Sequence, residues 1–267
     1  MPTKLGQNFL IDTTIAGKIV QAATITKEDT IVEVGPGTGA ITSLLAQQAK
    51  DVYAVELDAT LAQDLKKRYD TTDNVHIIHN DILKVDLSEI LPSKTYKVVA
   101  NVPYYITSKI TRLFLESKIP PIEMILMIQK EVAQRITAEP GAMSILSASV
   151  QYYATPSYLF TVPAESFDPI PRVQSAVIKI VTKKESPQNS EDQIRFFRTV
   201  KAGFSAKRKT LANNLANGFH TDKTTITTIF TSIDIAHNVR AQELALEQWF
   251  MLIAALEKEG HYQDSAI

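Results

Sequence analysis

A buried strand that runs straight into a glycine-rich turn and then a helix is the feature that most limits the fold of this chain. Residues 30–34 read Thr-Ile-Val-Glu-Val, and residues 35–39 read Gly-Pro-Gly-Thr-Gly. Residues 40–48 then have the apolar spacing of a helix. This order is the first unit of a doubly wound α/β sheet, where a ligand approaches the glycine backbone at the carboxyl end of the strand.

Polar side chains end the next three predicted strands. The apolar runs after the glycine turn end at Glu56, just before Asp81, and at Asn101. Glu56 lies about 20 residues beyond the turn, where an acidic side chain can accept both hydroxyls of a ribose. Because ligands bind at the carboxyl ends of strands in open α/β sheets, we expect these three side chains to border one crevice.

The segment after the fourth strand reads Asn101-Val102-Pro103-Tyr104-Tyr105. Asn-x-Pro-Tyr alone is compatible with a simple turn, since Asn and Pro favour turns. Its place beside the predicted crevice favours a role in chemistry instead.

Phe167 begins a loop, residues 167–175, that is held open by prolines. Two roles are open for it. Phe most often fills a core, but a ring in a stiff loop before a strand is also well placed to face a ligand.

The glycine turn also fits the dinucleotide fingerprint, Gly35-x-Gly37-x-x-Ala40, so a nicotinamide-dependent dehydrogenase is the rival interpretation. That motif is weak by itself. A predicted helix and an amide-bearing segment, residues 5–12, precede the first strand. No obvious His or Lys follows a later strand as a hydride-transfer acid, and Asn-x-Pro-Tyr has no place in that chemistry.

Composition narrows the classes further. The chain has 267 residues, 45% hydrophobic and 21% charged, as in a globular protein with one large and one small domain. It has no cysteine and five scattered histidines, so we expect no disulfide and no metal. No signal-peptide core and no run of 18 uncharged apolar residues is present, so we expect a cytoplasmic protein without a membrane partner.

Two domains are expected. Residues 1–183 form the α/β domain, the polar residues 184–190 a linker, and residues 191–267 an all-α domain. In the first domain we also predict strands at residues 122–128, 158–162 and 176–181 and a helix at residues 144–153. In the second we predict helices at about 191–204, 207–216, 222–232 and 241–257.

A basic cluster lies in the second predicted domain. Residues 195–209 contain six cations and no acid, although the net charge of the chain is only −1. The six are Arg195, Arg198, Lys201, Lys207, Arg208 and Lys209, the last three at the start of a predicted helix. A solvated face and an RNA-binding patch are equally good interpretations of the cluster.

Together these motifs make the chain resemble the ribosomal RNA adenine N6-dimethyltransferases of the bacterial small-subunit type. The matching segments follow one another over nearly the whole chain. They are Leu5–Leu10, Glu33–Gly39, Val55–Asp58, Asn80–Asp81, Asn101–Ile106, Gln129–Ala133, Phe167–Val177 and Lys207–Leu211. Gly6 and the run Gln129-Lys130-Glu131 favour this branch over the related antibiotic-resistance methyltransferases of large-subunit rRNA.

The resemblance implies a Rossmann-like methyltransferase sheet that binds S-adenosylmethionine and needs no metal. It implies cofactor contacts at Asn8, Leu10, Gly35, Glu56, Asp81 and Asn101. It implies that Asn101, Val102, Pro103, Tyr104 and Phe167 act on the adenine. The expected partner is 16S rRNA in a small-subunit assembly intermediate. The expected product is N6,N6-dimethyladenosine at two adjacent adenosines near the 3′ end, and the expected state is a monomer.

The sequence also departs from the usual family pattern. Val102 and Ile170 stand where Leu and Pro are usual, residues 142–144 replace a tyrosine-glycine-basic stretch, and the basic arm before Gly6 is short. The RNA contacts are therefore less firmly implied than the cofactor contacts. A partner in ribosome assembly or transcription that keeps the fold without turnover is the alternative of another class.

Overall fold

The computed structural model describes residues 8–184 and 190–262. The chain divides into two compact units, one of Met1–Gln134 with Ala154–Lys183 and the other of Arg135–Tyr153 with Lys184–Ile267. This division differs from the predicted domain ranges at residues 135–153, which group with the C-terminal helices. Most of the predicted linker, like residues 5–7 of the amide-bearing segment, lies outside the described residues.

The first unit contains a seven-stranded main sheet, a second sheet of two strands, and helices, and the predicted α/β fold is confirmed. Its strands are β1 (Phe9–Leu10), β2 (Thr30–Val34), β3 (Asp51–Glu56), β4 (Val75–His79), β5 (Lys97–Asn101), β6 (Glu123–Gln129), β7 (Ala154–Val162), β8 (Phe167–Asp168) and β9 (Ser175–Thr182). Its helices are α1 (Thr13–Ala22), α2 (Thr42–Gln48), α3 (Ala59–Arg68), α4 (Leu87–Ile90), α5 (Thr107–Leu115) and α6 (Lys130–Ile136), the last running into the second unit.

The order of strands in the main sheet is β4-β3-β2-β5-β6-β9-β7. The five neighbouring strands β4, β3, β2, β5 and β6 are parallel, whereas β9 is antiparallel to both β6 and β7. From β2 the chain continues to β3 and β4 on one side of β2, and it then returns to form β5 on the other side of β2. The carboxyl end of β2 is therefore the switch point at which open α/β sheets bind ligands.

All five residues of β2 are buried, as expected for a parallel strand covered on both faces. Helix α1 contributes Ile15, Ile19 and Val20 to the same core. Its first turn is capped by Asp12, whose carboxylate accepts the N–H groups of Thr14 and Ile15. Packing in this core thus fixes β2, the strand that runs into the glycine turn of the predicted crevice.

Two element boundaries differ from the sequence prediction in ways that have a physical reason. Helix α2 begins at Thr42 rather than residue 40, because residues 37–41 continue the glycine turn. Strand β7 begins at Ala154 rather than residue 158. Its first half contains Pro156 and two small polar residues, which an edge strand with alternating exposure tolerates.

The second unit is helical. Its helices are α7 (Ile145–Tyr153), α8 (Ser190–Gly203), α9 (Leu211–Gly218), α10 (Lys223–Ser232) and α11 (Leu246–Lys258). Trp249, Phe196, Phe230 and Tyr152 are among its most buried side chains. Tyr152 contacts the rings of Phe196 and Phe250, which ties α7 to α8 and α11. In the described ranges, no helix has the length and apolar character needed to cross a bilayer.

Candidate active site

A cavity of about 280 Å³ lies at the carboxyl ends of β2, β3 and β5. Its volume is close to the lower end of the roughly 300–1,000 Å³ that small-molecule sites usually have. All ten residues assigned above to cofactor or adenine line it, namely Asn8, Leu10, Gly35, Glu56, Asp81, Asn101, Val102, Pro103, Tyr104 and Phe167. The structure brings these residues together, and their individual roles stay predictions.

The glycine turn borders this cavity with little room for side chains. Gly35 and Gly37 have φ values of +66° and +57°, a region that favours glycine. A Cβ on Gly35 would lie 3.7 Å from the carbonyl oxygen of Asn101, and one on Gly37 would lie 3.2 Å from the ring of Phe9. The bare backbone of the turn is therefore packed directly beside Asn101 and β1, where a ligand can reach it.

Glu56 ends β3 and is buried with 2% of its surface exposed. One carboxylate oxygen accepts the N–H of Gly37 at 3.0 Å and the other accepts the N–H of Asp58 at 2.9 Å. A carboxylate has about four acceptor positions, so two remain for a ligand. Its orientation is thus fixed before any ribose arrives.

The other assigned cofactor residues differ in what they offer. Asp81 caps a 3₁₀ turn, with one oxygen accepting the N–H of Leu83 at 3.0 Å, and its other oxygen stays available for a ligand. Leu10 is 5% exposed and its side chain packs in the core, so a polar contact from it must come from the main chain. Asn8 is half-buried beside β1.

Asn101 presents a carboxamide to the cavity. Within the part of the chain that the structure describes, this carboxamide has no hydrogen-bond partner. The next residue is held firmly, because the N–H of Val102 donates to the carbonyl of Met127 on β6 at 3.0 Å. A main-chain anchor therefore sets where the Asn101 side chain and the Val102 carbonyl lie.

Phe167 lies in the core and also borders the cavity, and its role toward a ligand stays a prediction. Its ring is 2% exposed and packs in the core with Leu10, yet it also lines the cavity. It belongs to β8, which pairs antiparallel with β1 through Leu10↔Phe167 and Phe9↔Asp168. Pairing with β1, rather than the proline loop alone, holds Phe167 in place.

Glu33 also lines the cavity, although no role was predicted for it from the sequence. It is 2% exposed, and one of its carboxyl oxygens has no hydrogen-bond partner among the described residues. Burial raises the pKa of Glu33 to about 8, and the nearby Glu56 carboxylate adds to the shift. The signal was present in the sequence, since an acid in an otherwise apolar buried strand is unusual.

The basic cluster of the second unit is not one surface. Arg195 forms ion pairs with Glu191, Asp192 and Glu257, at 3.3, 3.6 and 2.7 Å. The guanidinium of Arg198 lies over aromatic rings, 5.0 Å from that of Phe219 and 5.8 Å from that of Tyr262. Both arginines thus serve internal contacts of the unit.

The exposed part of the cluster is Lys201 together with Lys207–Lys209. The prediction that Lys207–Lys209 begin a helix is wrong. They form a turn, and α9 begins only at Leu211, with Thr210 as its N-cap.

Among the residues that the structure describes, no group of three or more acidic, histidine or cysteine side chains is suited to a metal ion.

Residues 1–258 match the model of the family described as ribosomal RNA adenine dimethylase. The chain belongs to this family. The dehydrogenase interpretation is therefore wrong, and the enzyme class implied by the resemblance, an S-adenosylmethionine-dependent rRNA adenine dimethyltransferase, is confirmed. The cavity fits that methyl donor, because it combines a glycine cradle with the fixed carboxylate of Glu56 and the carboxylate of Asp81.

Individual members of the dimethylase family are similar over most of their length. Proteins named ribosomal RNA small subunit methyltransferase A from Dehalococcoides mccartyi and Streptococcus uberis are each 43% identical. Each match covers 96% of this chain, with 88% and 91% of the respective relative.

A solved structure agrees in fold as well. The dimethyladenosine transferase from Plasmodium falciparum has a TM-score of 0.81 at 25% identity, covering 94% of this chain and 98% of its own. The structure of the 23S rRNA methyltransferase ErmE has a TM-score of 0.78 at 23% identity, covering 94% and 100%, which shows the shared fold.

Proposed function

We propose that this enzyme methylates N6 of adenosines in small-subunit (16S) rRNA and produces N6,N6-dimethyladenosine. The proposed target is a pair of adjacent adenosines near the 3′ end, in an assembly intermediate of the small subunit. The relatives named small subunit methyltransferase A, at 43% identity, support this choice of RNA. We further propose that the enzyme acts in the cytoplasm as a monomer.

The observation that carries the proposal is the free carboxamide of Asn101 at the edge of the cavity, next to the anchored Val102. The N6 amine of adenine is a poor nucleophile, because its lone pair is delocalised into the ring. If the Asn101 oxygen and the Val102 carbonyl each accept a hydrogen bond from that amine, they favour a tetrahedral nitrogen with a localised lone pair. The nitrogen then forms its bond to the methyl group as the sulfonium–methyl bond breaks and S-adenosylhomocysteine leaves. The alkylated nitrogen is cationic, so its proton is acidic and is lost to water without a side-chain base. Orientation and local electrostatics supply the catalysis.

Other residues that line the cavity fit the methyl donor. S-adenosylmethionine, when bound, supplies an electrophilic methyl group on a sulfonium. Glu56 would accept the ribose hydroxyls, Asp81 would face the adenine part, and the bare backbone at Gly35 would lie against the amino-acid part. Asn8 and Leu10 would cover the donor from β1, Leu10 through its main chain.

The target adenine must leave its base stack, at a cost of a few kcal/mol. Stacking on an aromatic side chain returns roughly 1–3 kcal/mol per base. Tyr104 is half-buried on the cavity wall and leaves ring area for such a contact. Phe167 borders the same cavity, and Pro103 stiffens the segment between Val102 and Tyr104.

The test is mass spectrometry of nucleosides from unmodified small-subunit RNA and from small-subunit particles. Each is incubated with the protein and S-adenosylmethionine, and Asn101→Ala protein is the matched control. N6,N6-dimethyladenosine should appear with the wild type and be strongly reduced with the variant. Absence of the product from both substrates would reject the proposal. Light scattering of the same sample reports whether the enzyme is a monomer.

A further inference from the structure

The hydroxyl groups of Tyr104 and Ser175 lie 2.6 Å apart and form a hydrogen bond, across 71 residues of sequence. Tyr104 begins the 3₁₀ turn after β5, and Ser175 is the first residue of β9. Ser175 also closes the loop that starts at Phe167. The bond therefore links the chain segments that carry Tyr104 and Phe167, two of the aromatic residues that line the cavity.

Ser175 is a rigid anchor. It is fully buried, and its backbone pairs with Gln129 of β6 on one side and Val162 of β7 on the other. The preceding residue is tied down as well. The carbonyl of Gln174 accepts the N–H of Lys130 at 3.0 Å, and its side-chain oxygen accepts the ammonium of Lys130 at 2.9 Å. The serine hydroxyl consequently occupies a fixed point at the end of the sheet.

The backbone end of Tyr104 is held separately. The hydroxyl of Thr107, a residue with 2% exposure, donates to the Tyr104 carbonyl at 3.3 Å. The N–H of Ile106 donates to the Pro103 carbonyl at 3.1 Å. With its backbone held by the turn and its hydroxyl held by Ser175, the ring has one orientation. A side chain that is ordered in advance removes its ordering cost from the binding step.

We propose that Ser175 is a positioning residue: its hydroxyl holds the Tyr104 ring at the angle at which the target adenine is received. This rests on the proposed function for the assignment of Tyr104 to the adenine. A serine that only stabilised the fold would leave the methylation rate of the folded enzyme unchanged. A serine that acts through Tyr104 loses its effect on the reaction once that hydroxyl is removed.

The experiment is a double-mutant cycle with Ser175→Ala, Tyr104→Phe and both together, in single-turnover methylation of small-subunit RNA. Each single change should lower the rate about two- to tenfold, the size expected for one uncharged hydrogen bond. The double variant should be no slower than the slower single variant. Affinity for S-adenosylhomocysteine should not change. Ser147→Ala is the matched control, because Ser147 is also a fully buried serine with a hydrogen-bonded hydroxyl and should keep the wild-type rate.

Effects of the two single changes that multiply in the double variant would overturn the proposal, and so would a wild-type rate in either single variant. If Ser175→Ala does not fold, Tyr104→Phe decides alone, because it removes the same bond from a half-buried position. A crystal structure of Ser175→Ala, or of Tyr104→Phe in that event, gives a readout independent of activity. In either variant, an unmoved ring at position 104 would reject the positioning role. This readout holds even if the wild type methylated no adenosine, a result that by itself would reject only the proposed function.

Discussion

The carboxylate of Glu56 accepts the backbone N–H of Gly37 at 3.0 Å, which joins the end of β3 to the glycine turn after β2. Its second oxygen accepts the N–H of Asp58. One buried side chain thus shapes two loops of the cavity and still has lone pairs for a ligand. Loss of Glu56 should therefore affect the cofactor site in two ways, through the missing ribose contact and through a looser turn.

Glu56→Ala should weaken binding of S-adenosylmethionine at least tenfold. Hydrogen bonds to a charged group contribute roughly 1.5–3 kcal/mol each, and two ribose hydroxyls are involved. Calorimetry with S-adenosylhomocysteine measures the affinity, and Glu28→Ala, an exposed glutamate of the same unit, is the control. Unchanged affinity in Glu56→Ala would remove Glu56 from the cofactor site.

Asn101→Ala should have the opposite pattern. Turnover should fall by about 10²-fold or more, the usual size for one positioned hydrogen-bonding group at a reacting centre. Cofactor affinity should change little, because the carboxamide acts on the target amine. Single-turnover methylation and calorimetry separate the two effects, with Gln63→Ala as an exposed carboxamide control on α3. Wild-type turnover in Asn101→Ala would contradict the mechanism.

Replacing Lys207, Arg208 and Lys209 with Gln should weaken binding to RNA and flatten its salt dependence. Each lost phosphate contact should reduce the logarithmic salt slope by about 0.7–0.9. S-adenosylhomocysteine affinity should not change, because every cavity-lining residue belongs to the first unit.

A salt titration of RNA binding measures that slope. The control replaces three exposed lysines, Lys27, Lys94 and Lys118, which precede the amino ends of β2, β5 and β6, away from the cavity edge. It makes the same change in net charge. Equal slopes for the Lys207–Lys209 variant and the wild type would mean that this turn is only solvated surface.

Glu33→Gln should change how stability depends on pH. Below about pH 4.5 the carboxyl is protonated in both the folded and the unfolded chain, so burial of a charge costs nothing. As pH rises from about 4.5 to about 8, the unfolded chain releases the proton and the folded chain keeps it, so the wild type loses stability. The loss ends above the folded pKa of about 8 and amounts to at most about 5 kcal/mol.

Urea unfolding between pH 4 and 9 measures this difference. The free energy of unfolding of Glu33→Gln should rise relative to the wild type across that window, whereas Glu28→Gln should follow the wild-type curve. Parallel curves for the wild type and Glu33→Gln would show that the Glu33 carboxyl titrates in the folded chain as it does in water.

The local sequence pattern was sufficient to predict the five parallel strands of the main sheet. An apolar run precedes each of Gly35, Glu56 and Asn101. Parallel strands bring their carboxyl ends to one edge of the sheet. The cavity could be predicted because its parts are separately visible as strand ends. The comparisons confirm the enzyme class that the combined motifs implied.

Long-range pairing was not visible in the sequence. The bond between Tyr104 and Ser175 and the pairing of Leu10 with Phe167 depend on how distant segments meet, and neither leaves a periodic signal. The apolar spacing of α7 predicted a helix but not that it would pack with α8 and α11. The predicted start of α9 was wrong because apolar spacing does not fix the first residue of a helix. Lys207–Lys209 form the turn before it, and the helix dipole disfavours cations at an amino end.

Strand β9 is the last strand within the described residues, yet it lies between β6 and β7. On a translating ribosome, β7 therefore emerges before the neighbour with which it pairs, and residues 135–153 of the other unit emerge before either. The nascent chain has the glycine turn, Glu56 and Asn101 long before it has Phe167. The α/β unit can thus be completed only once synthesis has passed Thr182, so a paused or truncated chain would contain the cofactor motifs without the finished wall of the cavity.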